Sequence, residues 1–453
     1  MSSDKARSNP GEGTEFFGHP KGLFYLAFTE AWERFSFYGM TALLVLYMVD
    51  QLLLPGHIEA IAGFARFRSL VESVTGPLST TALASQIFGL YAGFVYFTPV
   101  FGGWIADRYI GQRNAVVIGA LAMSGGHLAM AFDQTFLLAL LLLVVGSGFL
   151  KGNISAQVGA LYPEDEESRR TRGFAIFSMA INFGAVCGPL LCGWLAQAYG
   201  WHYGFGVAAV FMLAGLATYL LGYRHLPARV GQQVQVQEPL SPREWRTIRA
   251  LFAVMLITVF QSTSYFQLYN MFKIWVQDAV NLQAGSLTIP VPWFQSIDAL
   301  ASILAVPLLF AVWRFQSKHR GEPGDLGKIG TGAWLAALSN LVLAAAVFAA
   351  DGAPVNTFWP VLYCMGMGVA FLYYWPTLLA LISREAPARA NATMMGIAFL
   401  TLFVSNNTIG WIGGFYEQMS ALGFWLMHAA IAATGGLLVL VFGRRLHRVF
   451  HPD

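Results

Sequence analysis

The chain has 453 residues, of which 56% are hydrophobic and only 11% charged, with a net charge of +3. A soluble domain carries about 25% charged residues, so this chain cannot cover a water-facing surface, and its hydrophobicity also excludes disorder. The near-neutral balance offers no basic surface for nucleic acid, which leaves a polytopic membrane protein with the lipid bilayer as its solvent.

Residues 1–21 are polar, and the apolar run that follows is too long for a signal peptide, so no cleavable leader is expected. A helix needs about 20 apolar residues to cross the hydrocarbon core. That scale predicts an all-α membrane protein of twelve spans, at 23–50, 81–105, 114–132, 135–158, 172–195, 203–222, 248–273, 292–313, 329–350, 358–382, 391–414 and 420–443. Long apolar runs broken by Gly and Pro favour helices over the ten-residue alternation of barrel strands. The loop 53–80 is expected to hold a short amphipathic helix around Ile58–Val74 as a surface cap. The polar connection 223–247 divides the chain into an N-terminal six-helix bundle (1–222) and a C-terminal one (248–453). Six plus six spans about a central linker is an arrangement used by alternating-access carriers.

Of the 27 Lys and Arg residues, 22 fall at the termini and in every second loop. Three (Arg66, Arg68 and Lys273) fall on the other side, Lys273 near a helix end, and two (Arg34 and Lys151) lie within spans. The positive-inside rule therefore puts both termini in the cytoplasm. Short loops favour a multi-pass protein of a bacterial inner (plasma) membrane.

Glu30, Glu33 and Asp298 are the acids within spans. Each intramembrane charge costs about 2.5–3.5 kcal/mol on insertion scales, so such groups face a cavity and a partner. Glu30, Glu33 and Arg34 share one side of the first span. By helix rise, Glu33 lies about 18 Å from Lys21, and Lys151 about 16 Å from Tyr162. Two carboxylates and two cations are thus expected at similar depth with charges summing to zero. Protonating one carboxylate leaves a cation unpaired, so proton and anion compete for Arg34 and Lys151. Cys187, Cys192 and Cys364 are scattered without disulfide or metal spacing. No metal or cofactor beyond the proton as coupling ion is expected, nor an obligate protein partner. A membrane-embedded enzyme would need a nucleophile or metal set at one depth, and none is legible.

Glu30-Ala-Trp-Glu33-Arg34-Phe35-Ser36-Phe37-Tyr38-Gly39 resembles the ExxERFxYYG signature of the proton-dependent oligopeptide transporter family, a branch of the major facilitator superfamily. Similar matches follow at Gly102-Gly103-Trp104-Ile105-Ala106-Asp107-Arg108, Gly148-Phe149-Leu150-Lys151-Gly152-Asn153, Phe177-Ser178-Met179-Ala180-Ile181-Asn182 and Trp293-Phe294-Gln295-Ser296-Ile297-Asp298. The resemblance is dense in the N-terminal half and thin in the C-terminal half. It implies the major facilitator fold with two six-helix halves, and proton-coupled symport of di- and tripeptides into the cell by alternating access. It assigns proton coupling to Glu30, Glu33, Arg34 and Lys151, and lines the peptide site with Arg34, Tyr38, Tyr96, Lys151 and Asn182. Relatives carry nitrate, amino acids or other small solutes, so the same fold with another cargo stays open.

The departures lie mostly in the C-terminal half. Val259, Phe260 and Gln261 stand where many members have a seventh-span glutamate, Phe371 where a tenth-span glutamate is usual, and Thr41 where the first span often has arginine. Asp298 occupies a position that is often asparagine. It is expected to replace the lost tenth-span glutamate as partner of the peptide's α-ammonium.

Overall fold

The computed structural model describes residues 15–163, 166–227, 239–319, 321 and 323–451. The polar residues 1–14 and most of the expected linker, 228–238, lie outside the described residues. The N-terminal half contains α1 (Lys21–Tyr47), α2 (Phe64–Thr75), α3 (Thr80–Ile105), α4 (Gln112–Ala129), α5 (Phe136–Ala160), α6 (Glu167–Tyr199) and α7 (Trp201–Gly222). The C-terminal half contains α8 (Pro242–Phe266), α9 (Met271–Ala279), α10 (Trp293–His319), α11 (Asp325–Ala350), α12 (Phe358–Glu385), α13 (Asn391–Gly413) and α14 (Ala421–Phe450). Leaving aside the short α2 and α9, these are two six-helix halves.

Among the described residues, eleven helices are long and apolar enough to cross a membrane. The twelfth, α4, has only 18 residues and spends its first turn on Gln112, Arg113 and Asn114. It packs along α5 and α7, which shelter it. The expected cap in the loop 53–80 is α2, which buries Phe64 and Val71 and leaves Leu70 and Val74 exposed.

Caps explain where several helices begin. The Ser79 hydroxyl accepts from the Ala82 amide (3.2 Å) and starts α3. Ser241 and Glu244 form a reciprocal capping box with Pro242 in the first turn. The helix therefore starts well before residue 248 and takes up the end of the expected linker. The Ser241 amide donates to the Glu244 carboxylate at 2.7 Å.

The seventh span departs most from expectation. Hydropathy predicts one helix over 248–273, but α8 stops at Phe266 and a single 3-10 turn follows, Gln267–Tyr269. Asn270 leaves helical geometry (φ −119°, ψ −108°), and α9 restarts at Met271. The Asn270 side chain donates through Nδ2 to Ser85 Oγ on α3 at 2.7 Å. As a result Lys273, expected near a helix end among the loop charges, is buried.

Small residues let α1 and α6 touch backbone to backbone, as membrane helices commonly do. A Cβ on Gly184 would sit 2.5 Å from the Arg34 Cβ and the Phe35 amide nitrogen, and one on Gly188 would overlap the Phe35 carbonyl. Gly184→Leu should therefore overpack the contact by about 1–3 kcal/mol or more. Thermal unfolding of the purified protein checks this. Its midpoint should fall by several degrees, whereas Gly206→Leu, where an added Cβ meets nothing within 4 Å, should leave it unchanged. Equal midpoints would show that the α1–α6 contact yields easily.

The two halves join on the face opposite the chain termini. Gln295 Nε2 donates to the Tyr38 carbonyl (3.1 Å), Lys273 Nζ to Thr41 (2.7 Å), Ser296 Oγ to Val186 (2.7 Å) and Trp293 Nε1 to Leu190 (2.9 Å). Gln277 reaches Asp50 at 2.9 Å, and Ser79 bonds Glu417. A Cβ on Gly89 would sit 2.5 Å from the Asn406 carbonyl, so α3 and α13 also meet closely there.

Candidate functional site

Toward the termini face the halves part around a cavity of about 830 Å³. Its roof is Thr41, Phe88 and Tyr269, and its mouth is marked by Gly103, Asp107, Ser155 and Ala392, at helix ends on the termini side. The sealed face lies directly beyond the roof. The cavity wall is amphipathic: α1 and α5 contribute charge, while Phe266, Phe371, Trp375, Met395 and Phe399 make the C-terminal side apolar.

Charge enters from α1. Arg34 Nε lies 3.0 Å from Glu30 Oε1 and also pairs with Glu33 Oε2. Glu30 and Arg34 line the cavity, and Glu33, wholly buried, sits behind them. One guanidinium thus serves two carboxylates, and Glu30 Oε2 and Glu33 Oε1 are buried without a hydrogen-bond partner among the described residues. With both acids ionised the trio carries one excess negative charge.

Lys151 on α5 balances that charge without touching it. Among the described residues it forms no ion pair with a first-span carboxylate. The Lys151 ammonium lies 4.3 Å from the centre of the Phe37 ring and 5.2 Å from that of Tyr96, facing the cavity. Arg34 approaches the same Phe37 ring at 5.2 Å. Cation–π contacts of this kind hold a cation in place while leaving its donors free. Tyr38 and Tyr96 both line the cavity.

Asn182 and Asp298 lie off the main cavity. They share a side pocket of about 170 Å³ with Tyr38, Gln295 and Phe371. Asp298 Oδ2 accepts from the Tyr265 hydroxyl at 2.9 Å and the Tyr269 hydroxyl at 3.0 Å. Its other oxygen, Oδ1, is buried and unpartnered among the described residues. Phe371, at the position usually glutamate, stacks on the Tyr265 ring at 5.0 Å and lines both spaces. Gln261 turns away to the Ala370 carbonyl (3.4 Å).

Sequence reasoning missed Tyr265, Tyr269, Gln295 and Lys273. Tyr265 and Tyr269 are four residues apart on the seventh span, and that spacing, read beside an intramembrane aspartate, was the available signal. Gln295 and Lys273 act across the seam between the halves, and no local pattern marks such a contact.

The chain matches the Major Facilitator Superfamily over residues 26–406. It is 28% identical to the peptide transporter YePEPT of Yersinia enterocolitica, over 96% of this chain and 95% of that one. It is 29% identical to the uncharacterized transporter YclF of Bacillus subtilis, over 96% of each. Among solved structures it resembles peptide transporter POT in complex with sulfate (TM-score 0.83) and in complex with alafosfalin (TM-score 0.84). Both are 26% identical and cover 96% of this chain and 97% of that one. With its two six-helix halves, its sealed seam and its charged cavity, the chain is a transporter rather than an enzyme, and it belongs to the major facilitator superfamily as a member of the proton-dependent oligopeptide transporter family.

Proposed function

We propose that the protein is a proton-coupled symporter that brings di- and tripeptides into the cell, seated in the inner (plasma) membrane with both termini in the cytoplasm. On that reading the structure is the inward-open state, with its cavity facing the cytoplasm. The observation that carries it is the placement of opposite charges in two adjoining spaces, the main cavity and the side pocket, which share Tyr38, Tyr265, Tyr269 and Phe371 as lining. Arg34 and Lys151 offer cations from the N-terminal half, and Asp298 offers an unfilled carboxylate oxygen from the C-terminal half. A zwitterionic peptide has one group for each. Tyr38, Tyr96 and Asn182 supply hydroxyl and amide groups that can bond a peptide backbone without selecting a side chain.

The coupling ion is the proton, and Glu30, Glu33 and Arg34 with Lys151 handle it. When one carboxyl of the trio is protonated the trio is neutral, and Lys151 is free for the peptide carboxylate. When that carboxyl ionises, Lys151 is drawn back to the trio and the peptide is released.

Uptake of labelled dialanine into proteoliposomes, with and without an imposed inward-directed proton gradient, tests the function. Accumulation only with the gradient is expected. Uptake of nitrate or an amino acid with no dialanine uptake would keep the fold and replace the cargo.

Asp298→Asn should weaken binding of free dialanine about ten- to hundredfold. A charge-assisted hydrogen bond is worth about 1.5–3 kcal/mol. N-acetylated dialanine, which has no ammonium, should lose far less. Competition against a labelled peptide measures both. Equal losses would make Asp298 a structural or proton-binding residue.

A further inference from the structure

Lys273 has no part in the coupling scheme, yet at 1% exposure it is more enclosed than Arg34 at 7%. Its ammonium makes one hydrogen bond, to the Thr41 carbonyl at 2.7 Å. The ring centres of Phe88 and Tyr269 stand 5.8 and 6.0 Å away, at the outer limit of a cation–π contact. No carboxylate among the described residues pairs with it, and the intramembrane acid of the same half, Asp298, is bonded to Tyr265 and Tyr269. Thr41 and Phe88 belong to α1 and α3, whereas Tyr269 and Lys273 belong to the C-terminal half. The enclosure therefore exists only while the face opposite the termini is closed.

Two opposing effects act at this contact. The bond to Thr41 favours closure. Against it, an ammonium has three donors and here satisfies one, while closure strips away the water that would serve the others. Even a well-formed buried ion pair roughly breaks even against its desolvation, so one neutral carbonyl falls short. If the lysine sheds its proton in order to enter, that penalty also falls on the closed state.

We infer that Lys273 is a spring loaded by closure of the opposite face, which raises the free energy of the inward-open state and drives the empty carrier back to the outward-open one. The inference does not depend on the cargo. An importer must make this return step unloaded, with no substrate binding energy to drive it, and a lysine that regains its water on opening supplies the driving force from within the chain.

The test reads the seam directly. Ser85 of α3 is fully buried where it meets Asn270 and the Gly410 carbonyl (3.1 Å), so it is reached from outside only when the seam opens. Ser85→Cys would be labelled by a membrane-impermeant maleimide without any substrate, and the protein lacking that substitution corrects for the native cysteines. Lys273→Met removes both the charge and the hydrogen bond. Lys273→Gln removes the charge and keeps a donor for Thr41. The spring predicts that both variants slow outside labelling, by about tenfold, because both relieve the burial penalty of an ion. Faster labelling in Lys273→Met with no change in Lys273→Gln would make the lysine a hydrogen-bonding latch and overturn the inference. Unchanged labelling in both would overturn it as well.

Discussion

Glu33→Gln is expected to abolish gradient-driven accumulation of dialanine while leaving counterflow exchange measurable. Glu33 is wholly buried, shares the Arg34 guanidinium with Glu30, and keeps one oxygen without a partner. A glutamine there is fixed in the neutral state, so the trio no longer changes charge as a proton arrives and leaves. Loaded carrier can still cross in both directions, because exchange requires no net proton release. Net accumulation requires that release once per cycle and should vanish. Glu30→Gln should have the same sign with a smaller effect, because Glu30 faces the cavity and water can take over part of its role. Normal gradient-driven uptake in both variants would remove the first-span carboxylates from the coupling path.

Lys151→Ala is expected to raise the KM for dialanine about ten- to hundredfold with little change in the thermal midpoint. The geometry separates these two effects. Truncating one partner of a buried ion pair costs about 3–5 kcal/mol because it strands the other charge, but Lys151 rests on Phe37 and Tyr96 and pairs with no carboxylate among the described residues. What is lost is the cation that meets the substrate, a charge-assisted contact of about 1.5–3 kcal/mol. Dialanine amide has no carboxylate to meet Lys151 and should be nearly indifferent. Lys151→Arg keeps the charge but presents a planar fork with a different reach, so its KM should fall between wild type and alanine. Equal losses for dialanine and its amide would place Lys151 outside the carboxylate site.

The helices were legible because the bilayer imposes one length and one polarity on every span, and α1, α5 and α12 follow that rule closely. The rule misled where tertiary contact replaced it. α8 stops at Phe266, the path breaks at Asn270, whose side chain bonds Ser85 on another helix, and nothing local in residues 263–275 announces that break. Lys273 therefore read as a charge near a helix end and proved to be a buried one. The charged residues of the site were legible because a charge within a span has few tolerable positions. Their pairing was only partly so. The i,i+4 spacing gave Glu30 with Arg34, but the rest of Lys151 on two aromatic faces depends on how α1, α3 and α5 converge. Asp298 was found by its charge alone. The tyrosines that leave one of its oxygens open come from α8 and the 3-10 turn after it, and their role follows only once that helix is packed against α10.

The seam on the face opposite the termini has one further property. Gln295, Lys273, Ser296 and Trp293 all belong to the C-terminal half, and all donate to main-chain carbonyls of the N-terminal half, at Tyr38, Thr41, Val186 and Leu190. A carbonyl is present whatever side chain its residue bears. Two of these acceptors, Tyr38 and Thr41, also line the cavity, so selection can exchange their side chains to suit a new cargo while the seam keeps the same acceptors. The donors have no such freedom. Divergence in substrate preference should therefore be tolerated at Thr41, where this chain already departs from the family pattern, and changes at Gln295 and Trp293 should disturb the conformational cycle for every cargo alike.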